Sequence, residues 1–303
     1  MLTDIMHRLR LIFYILLIAG VFSCDEGTVV KIPILDFFKT PDKTFFRISP
    51  DGKYISYLKP YKSKQNLFIQ SLVDGKGFMA TNFADNPVTD YMWTYNNHIV
   101  FVQDIVSSDS LKIFALDVKT LRSHPVLAEH KVKYRLLTGN KLQPDILTVS
   151  LNKRDEGVFD VYHLSITSGE IKPYIVNPGD VIEWYADVYG KIRLARASDG
   201  VTTTILFRQN EKAPFRPIIV NNFKDVVRPV AFTGKGNNFY ALSNVNQDKT
   251  ALVEINAETG KQERLVYKSD NADIVSIEYF QDKNRLDYAS WEEAMPRKHF
   301  FND

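Results

Sequence analysis

The chain has 303 residues, 45% apolar, 24% charged and 13% aromatic, ample material for a sizeable core and too apolar for a disordered chain. Lysine plus arginine number 38 against 36 aspartates plus glutamates, a net charge of +2, so no bulk field exists to attract nucleic acid. One cysteine excludes an intrachain disulfide.

The amino terminus reads as a targeting segment, residues 1–23. His7, Arg8 and Arg10 make a basic start, and Leu11 to Phe22 is an uncharged, mostly apolar run, short for a bilayer-spanning helix. The run ends in Val21-Phe22-Ser23-Cys24 before Asp25 and Glu26. This resembles a bacterial lipobox, which implies a lipid-modified Cys24 and a cell-envelope protein anchored to a membrane. Residues 24–44 form a tether and lead-in. Within it Val30 to Phe38 contains Pro33, which predicts an edge segment or extended arm, not a central strand.

From residue 45 to 303 the chain repeats one β unit. Phe46-Arg47-Ile48-Ser49-Pro50-Asp51-Gly52-Lys53-Tyr54 reads as strand, tight turn, strand: Pro50 presets a turn angle, Asp51 hydrogen-bonds the backbone ahead, and Gly52 accepts a positive φ. Asn66 to Leu72 supplies a third strand, ending at Asp74-Gly75-Lys76. Further pairs follow the same plan: Ile99–Val102 with Leu111–Asp117, Ile146–Ser150 with Phe159–Ser165, Ile192–Ala195 with Thr203–Arg208, and Asn238–Leu242 with Ala251–Asn256. The step from turn to turn is roughly 42 to 49 residues, close to the period of four-stranded propeller blades. The expected fold is an all-β propeller, with about five blades and the beginning of a sixth.

Candidate site residues are sparse. His98, His124, His130, His163 and His299 are scattered without metal-ligand spacing, so no metal and no cofactor is expected. Asp155-Glu156 reads as a solvated loop, and Asp104 and Asp187 as ordinary residues, although both positions suit a propeller channel. Arg193, Arg196, Arg208, Arg216 and Arg228 cluster in the fourth and fifth units and read as solvated blade surface.

The stretch Lys39 to Gly52, followed by Asn66-Leu67-Phe68-Ile69, resembles the start of the propeller in bacterial prolyl oligopeptidase-type (S9) serine peptidases. Arg297-Lys298-His299-Phe300-Phe301-Asn302-Asp303 is similar to a stretch that such proteins carry in the propeller region. The similarity covers about residues 30 to 303; the Ser-Pro-Asp-Gly turn also occurs in TolB-like propellers. The resemblance implies a partner α/β-hydrolase domain, with a serine on a Gly-x-Ser-x-Gly elbow, an acid and a histidine. No Gly-x-Ser-x-Gly occurs here, so this chain alone is expected to lack catalytic residues and to be inactive. In the intact protein it would gate peptide substrates. The alternative is a stand-alone envelope propeller, TolB-like, that binds a partner without catalysis.

Overall fold

The computed structural model describes residues 32–37, 41–105, 109–280 and 283–302. Residues 1–42 and 43–303 form two separate units. In the first unit, Ile34–Phe37 is one helical turn, α1, begun by the Asp36 N–H donating to Pro33 C=O at 2.9 Å. The sequence reading expected an extended arm there. Proline presets the first turn of a helix as readily as it caps a strand edge. The signal segment and Cys24 lie outside the described residues.

The second unit is a propeller of six blades. Blade 1 holds β1 (Thr44–Ile48), β2 (Tyr54–Tyr61), β3 (Lys64–Ser71) and β4 (Gly77–Met79), and blade 2 holds β5 (Asp90–Trp93), β6 (His98–Ile105), β7 (Ser110–Asp117) and β8 (Arg122–His130). Blade 3 holds β9 (Tyr134–Gly139), β10 (Ile146–Asp155), β11 (Val158–Ser165) and β12 (Ile171–Ile175), and blade 4 holds β13 (Val181–Ala186), β14 (Ile192–Ser198), β15 (Thr203–Phe207) and β16 (Arg216–Asn221). Blade 5 holds β17 (Val227–Phe232), β18 (Asn238–Ser243), β19 (Ala251–Asn256) and β20 (Gln262–Tyr267), and blade 6 holds β21 (Ile274–Phe280), β22 (Arg285–Glu292) and β23 (Pro296–Phe300). Every blade is an antiparallel meander in chain order.

The count corrects the expectation of five blades and a beginning. The last unit already forms a three-stranded sheet. It escaped the sequence reading because β21 mixes Ser276 and Glu278 into its apolar residues and blurs the alternation.

The opening turn is built as its residues dictate. Gly52 takes φ +72°, its N–H donates to Ser49 C=O at 2.9 Å, and Asp51 Oδ1 accepts from Ser49 Oγ at 2.7 Å and from Lys53 N–H at 3.1 Å. Asn97 Nδ2 of blade 2 donates to Asp51 Oδ2 at 3.1 Å, tying the turn to its neighbour. At Gly260, φ is +70° and a Cβ would sit 2.1 Å from the Ile218 carbonyl oxygen. Only glycine fits there.

Blades stack face to face, and each of five seams holds one apolar cluster. Leu58, Leu67 and Ile69 of blade 1 pack on Tyr91, Ile99 and Phe101 of blade 2; Val100, Val102 and Ile113 pack on Leu147, Val149 and Leu164 of blade 3. Val161 meets Trp184 and Ile192 at the next seam. Phe207 meets Phe239 and Val253 between blades 4 and 5, and Leu242 and Leu252 meet Ile274 and Ala289 between blades 5 and 6. Among the described residues no such cluster joins blade 6 to blade 1. There Phe46 is 55% exposed, Ile48 60% and Phe300 60%.

Polar bridges reinforce the crossovers between blades. Asp160, 6% exposed, accepts from Arg154 Nε at 2.9 Å and Nη2 at 3.0 Å and from Asn177 N–H at 2.8 Å. Asn177 Nδ2 then donates to Val181 C=O at 2.7 Å, fixing the entry to blade 4.

Two predictions follow from this packing. Replacing Phe101, fully buried and stacked 4.9 Å from Phe114, by alanine costs about 3–5 kcal/mol in denaturant unfolding. Phe46→Ser costs about 0.5 kcal/mol or less in the same assay, because Phe46 is 55% exposed and meets the Tyr57 ring at 5.5 Å. The Arg154 guanidinium holds the Asp160 carboxyl below its ordinary value, against burial, which raises it. A depressed folded value contributes stability above the unfolded value and loses it as pH falls through the folded one. Unfolding titrations at pH 7 and pH 3 should therefore find Asp160→Asn less stable by about 1–2 kcal/mol at pH 7, with a shallower loss toward acid than the unmodified protein.

Candidate functional site

In a propeller the first strand of each blade lines the central channel. Each of these six strands carries one charged residue, and the sign alternates around the array: Arg47, Asp90, Arg135, Glu183, Arg228 and Glu278. The remaining inner-strand residues are aromatic, aliphatic or small. The charges are therefore spaced around the axis without a net excess of either sign.

Most of the ring is engaged in the protein. Arg135 Nη1 donates to Ile182 C=O on the next inner strand at 2.5 Å, and Arg228 Nη2 to Val275 C=O at 3.0 Å. Glu183 accepts from Arg196 Nε at 3.1 Å and from the Tyr185 hydroxyl. Burial pushes the Glu183 carboxyl up, but Arg196 and Tyr185 outweigh it, so the group titrates below the ordinary value. The Tyr185 hydroxyl is pushed up, by burial first and by its bond to Glu183 second. Asp90 Oδ1 caps the Tyr91 N–H at 2.8 Å.

At the end of the channel marked by the β1–β2 turn, residues of blades 1, 2, 3 and 6 enclose a cavity of about 1010 Å³. Phe46, Ile55, Met92, Trp93, Tyr95 and Phe280 form its apolar wall, and Arg47, Asp51, Glu278, Lys283 and Arg285 carry its charge. One wall is fixed by a buried relay. Trp93 Nε1 donates to Ser56 Oγ at 2.8 Å, the Ser56 hydroxyl donates to Tyr91 Oη at 3.1 Å, and the Tyr91 hydroxyl donates to Phe45 C=O. Burial raises the Tyr91 hydroxyl's proton affinity, which keeps it a donor at neutral pH. Trp93 also stacks on Tyr54, ring centres 6.4 Å apart.

Arg47 reaches Asp90 only at 3.9 Å, longer than a hydrogen bond, and lies 5.5 Å over the Tyr91 ring. Arg285 pairs with Asp287 at 3.1 Å. Glu278 and Lys283 have no ion-pair or hydrogen-bond partner among the described residues. The lining includes Ser49, whose hydroxyl is held by Asp51, but no histidine or cysteine. Among the described residues of the lining, a hydroxyl–carboxylate contact joins Ser49 to Asp51, within the β1–β2 turn.

The sequence-predicted candidates fall elsewhere. His124 Nε2 lies 3.0 Å from Ile166 C=O, His163 stacks on Tyr174 at 4.0 Å and His299 on Tyr267 at 4.1 Å. No group of three metal-ligating side chains exists among the described residues. Asp155 accepts the Gly157 N–H in the exposed β10–β11 turn, as a solvated loop should. Asp187 is buried, caps Tyr189 and Lys191 N–H groups and lies 3.8 Å from Arg193. The Asp104 side chain lies outside the described residues.

The arginine cluster is corrected in part: Arg216 and Arg228 are exposed, as a solvated blade surface implies, whereas Arg193 and Arg196 are half-buried and Arg208 is buried. Arg208 is 7% exposed and donates to Ile192 C=O at 2.7 Å and Tyr174 Oη at 3.0 Å. Arg193 lies 5.3 Å from both Phe207 and Phe232 and donates to Asn237 at 2.6 Å, and Arg216 donates to Glu258 C=O at 2.7 Å. Guanidinium stacks on aromatic faces and reaches carbonyls through a fixed fork, which suits it to seams between blades. The functional residues that sequence reasoning passed over are Arg47 and Glu278. Their signal was present as one charge in each otherwise uncharged inner strand.

No family model matches the chain. It is 22% identical over 264 residues to dipeptidyl aminopeptidase BIII of Pseudoxanthomonas mexicana, covering 81% of this chain and 38% of that protein. It is also 22% identical over 270 residues to dipeptidyl peptidase family member 6 of Caenorhabditis elegans, covering 81% and 36%. The chain thus spans less than two fifths of the curated relatives it matches. Among solved structures, the propeller domain of the Trilobed protease from Pyrococcus furiosus, described as an open velcro topology, superposes with a TM-score of 0.63 at 12% identity, covering 87% of this chain and 83% of that one. An oligogalacturonate lyase with manganese superposes at 0.61 and 12% identity, covering 86% and 77%. These likenesses show the fold, a β-propeller, and the sequence similarity runs to two dipeptidyl peptidases.

Proposed function

We propose that this chain is the propeller portion of an S9-type serine peptidase acting on short peptides, in which it restricts access to a catalytic α/β-hydrolase domain. The observation that carries the reading is the sequence similarity to two dipeptidyl peptidases along 81% of the chain. Fold likeness alone does not select the activity, because one fold hosts several chemistries. In this reading peptide substrates and the hydrolase domain are the partners.

The second reading is a stand-alone propeller that binds a partner and catalyses nothing. It is favoured by the propeller and its cavity, which these 303 residues supply by themselves. In both readings Cys24 carries a lipid that holds the protein at a bacterial membrane of the cell envelope, supported by the Val21-Phe22-Ser23-Cys24 pattern after an apolar run.

Two experiments test these readings. Sequencing past the codon for Asp303 and expressing the complete reading frame should yield a protein that releases dipeptides from unblocked peptide substrates. A frame without a serine elbow, or a product inert to peptides, would turn the assignment to the binding module. Expressed in a bacterium, the protein should partition into detergent and carry an acyl mass on Cys24, and Cys24→Ala should move it to the aqueous phase; an unmodified, water-soluble parent would sink the anchor.

A further inference from the structure

Histidine is the side chain whose charge ordinarily changes near neutral pH, and His163 is held at a seam between blades. It lies half-buried on β11 of blade 3, its ring stacked 4.0 Å from that of Tyr174 on β12. Tyr174 clasps this blade to the next. Its hydroxyl donates to Glu211 Oε1 at 2.8 Å and accepts from Arg208 Nη2 at 3.0 Å, and the Arg208 guanidinium also lies 5.5 Å from the Tyr174 ring centre. Arg208 and Glu211 follow β15 of blade 4, so both bonds of Tyr174 cross the seam. Lys191 takes the other carboxylate oxygen of Glu211 at 2.9 Å. Burial and the bond to Glu211 push the Tyr174 hydroxyl up, which keeps it a donor.

The surroundings of His163 favour the neutral ring. In register, Lys172 on β12 and Thr148 on β10 stand directly opposite it, and Lys172 is exposed and paired with Glu170 at 3.0 Å. Among the described residues no hydrogen bond reaches the ring nitrogens. Glu211 attracts a proton to the ring, but Lys191 and Tyr174 already engage that carboxylate. A charged imidazole would therefore share the Tyr174 ring with the Arg208 guanidinium and lose part of its water without a hydrogen bond in return. Burial accordingly pushes the imidazole below its ordinary value, more than Glu211 raises it. We propose that His163 is a pH-sensitive switch for this clasp: mild acid protonates the ring, releases Tyr174 from Arg208 and Glu211, and loosens the rim of the seam between blades 3 and 4. Val161, Trp184 and Ile192 keep the apolar part of that seam, so the blades stay stacked. With its folded value lowered, the opened rim takes up the proton first. The closed clasp is thus fully favoured above the ordinary imidazole value and loses ground as pH falls from there to the folded value. The switch needs neither a hydrolase domain nor a ligand.

The test is amide hydrogen exchange of the 303-residue chain at pH 7.5 and pH 5.5, corrected for the intrinsic pH dependence of exchange. The parent is compared with His163→Phe, which keeps a stacked ring without the titration. On acidification, amides of β12 and of residues 208–215 should lose about fivefold more protection in the parent than in the variant, within the roughly tenfold per pH unit that one proton can give. Amides of β6 and β7, at other seams, should respond alike in both proteins. A second measurement on the parent alone serves where the variant folds poorly: the His163 Cε1–H resonance, identified by its Overhauser contacts to the Tyr174 ring, should titrate below the ordinary imidazole value of about 6.5. An imidazole that titrates at or above that value would overturn the proposal, and so would equal losses of protection in the parent and His163→Phe.

Discussion

Everything in this propeller depends on a sheet being apolar on both faces. Blade 2, whose second and third strands carry Ile99, Phe101 and Leu116 toward blade 1, and Val100, Val102 and Ile113 toward blade 3, cannot be stable alone. It must be stacked on both sides, and stacking propagates along the chain from blade to blade. The polar bridges are subordinate to this. Arg208, Arg193 and Arg154 fill the gaps where apolar side chains run out at the rim of each seam, and each is held by carbonyls, aromatic rings or a buried carboxylate.

The same constraint explains where the binding apparatus lies. Five seams are filled by apolar side chains among the described residues. The channel and the unpacked seam are the places where inner-strand residues face open space, and there the sequence places charge. Arg47 and Glu278 sit on strands whose other residues are apolar or small, so each is an isolated polar feature against a greasy wall.

Much of the architecture was legible in the sequence because the second and third strands of each blade are continuous buried runs flanked by turn residues. Ile99–Val102 with Leu111–Asp117 and Asn238–Leu242 with Ala251–Asn256 pair in the structure as the repeat implied. The inner and outer strands were less visible. Those such as β9 and β16 have mixed burial along their length, so neither a period of two nor a buried run stands out. The sixth blade was undercounted for this reason. The arginines were misread because a sequence does not say whether a long side chain reaches solvent or folds back over a ring, and Arg208 does the latter. The channel charges were overlooked because their meaning is relational: Arg47 and Glu278 are 231 residues apart, and only closing the arc brings them to one cavity.

Alternation of sign around the channel also governs how the protein is felt at a distance. Charges of one sign sum to a potential that extends about a Debye length into solution, roughly 8 Å at physiological ionic strength, and draw ligands in. Six charges of alternating sign around one axis cancel beyond their own spacing, so this ring by itself adds little to the field outside the channel. The field at the mouth is left to Asp51, Lys283 and Arg285, which line the cavity beside the ring.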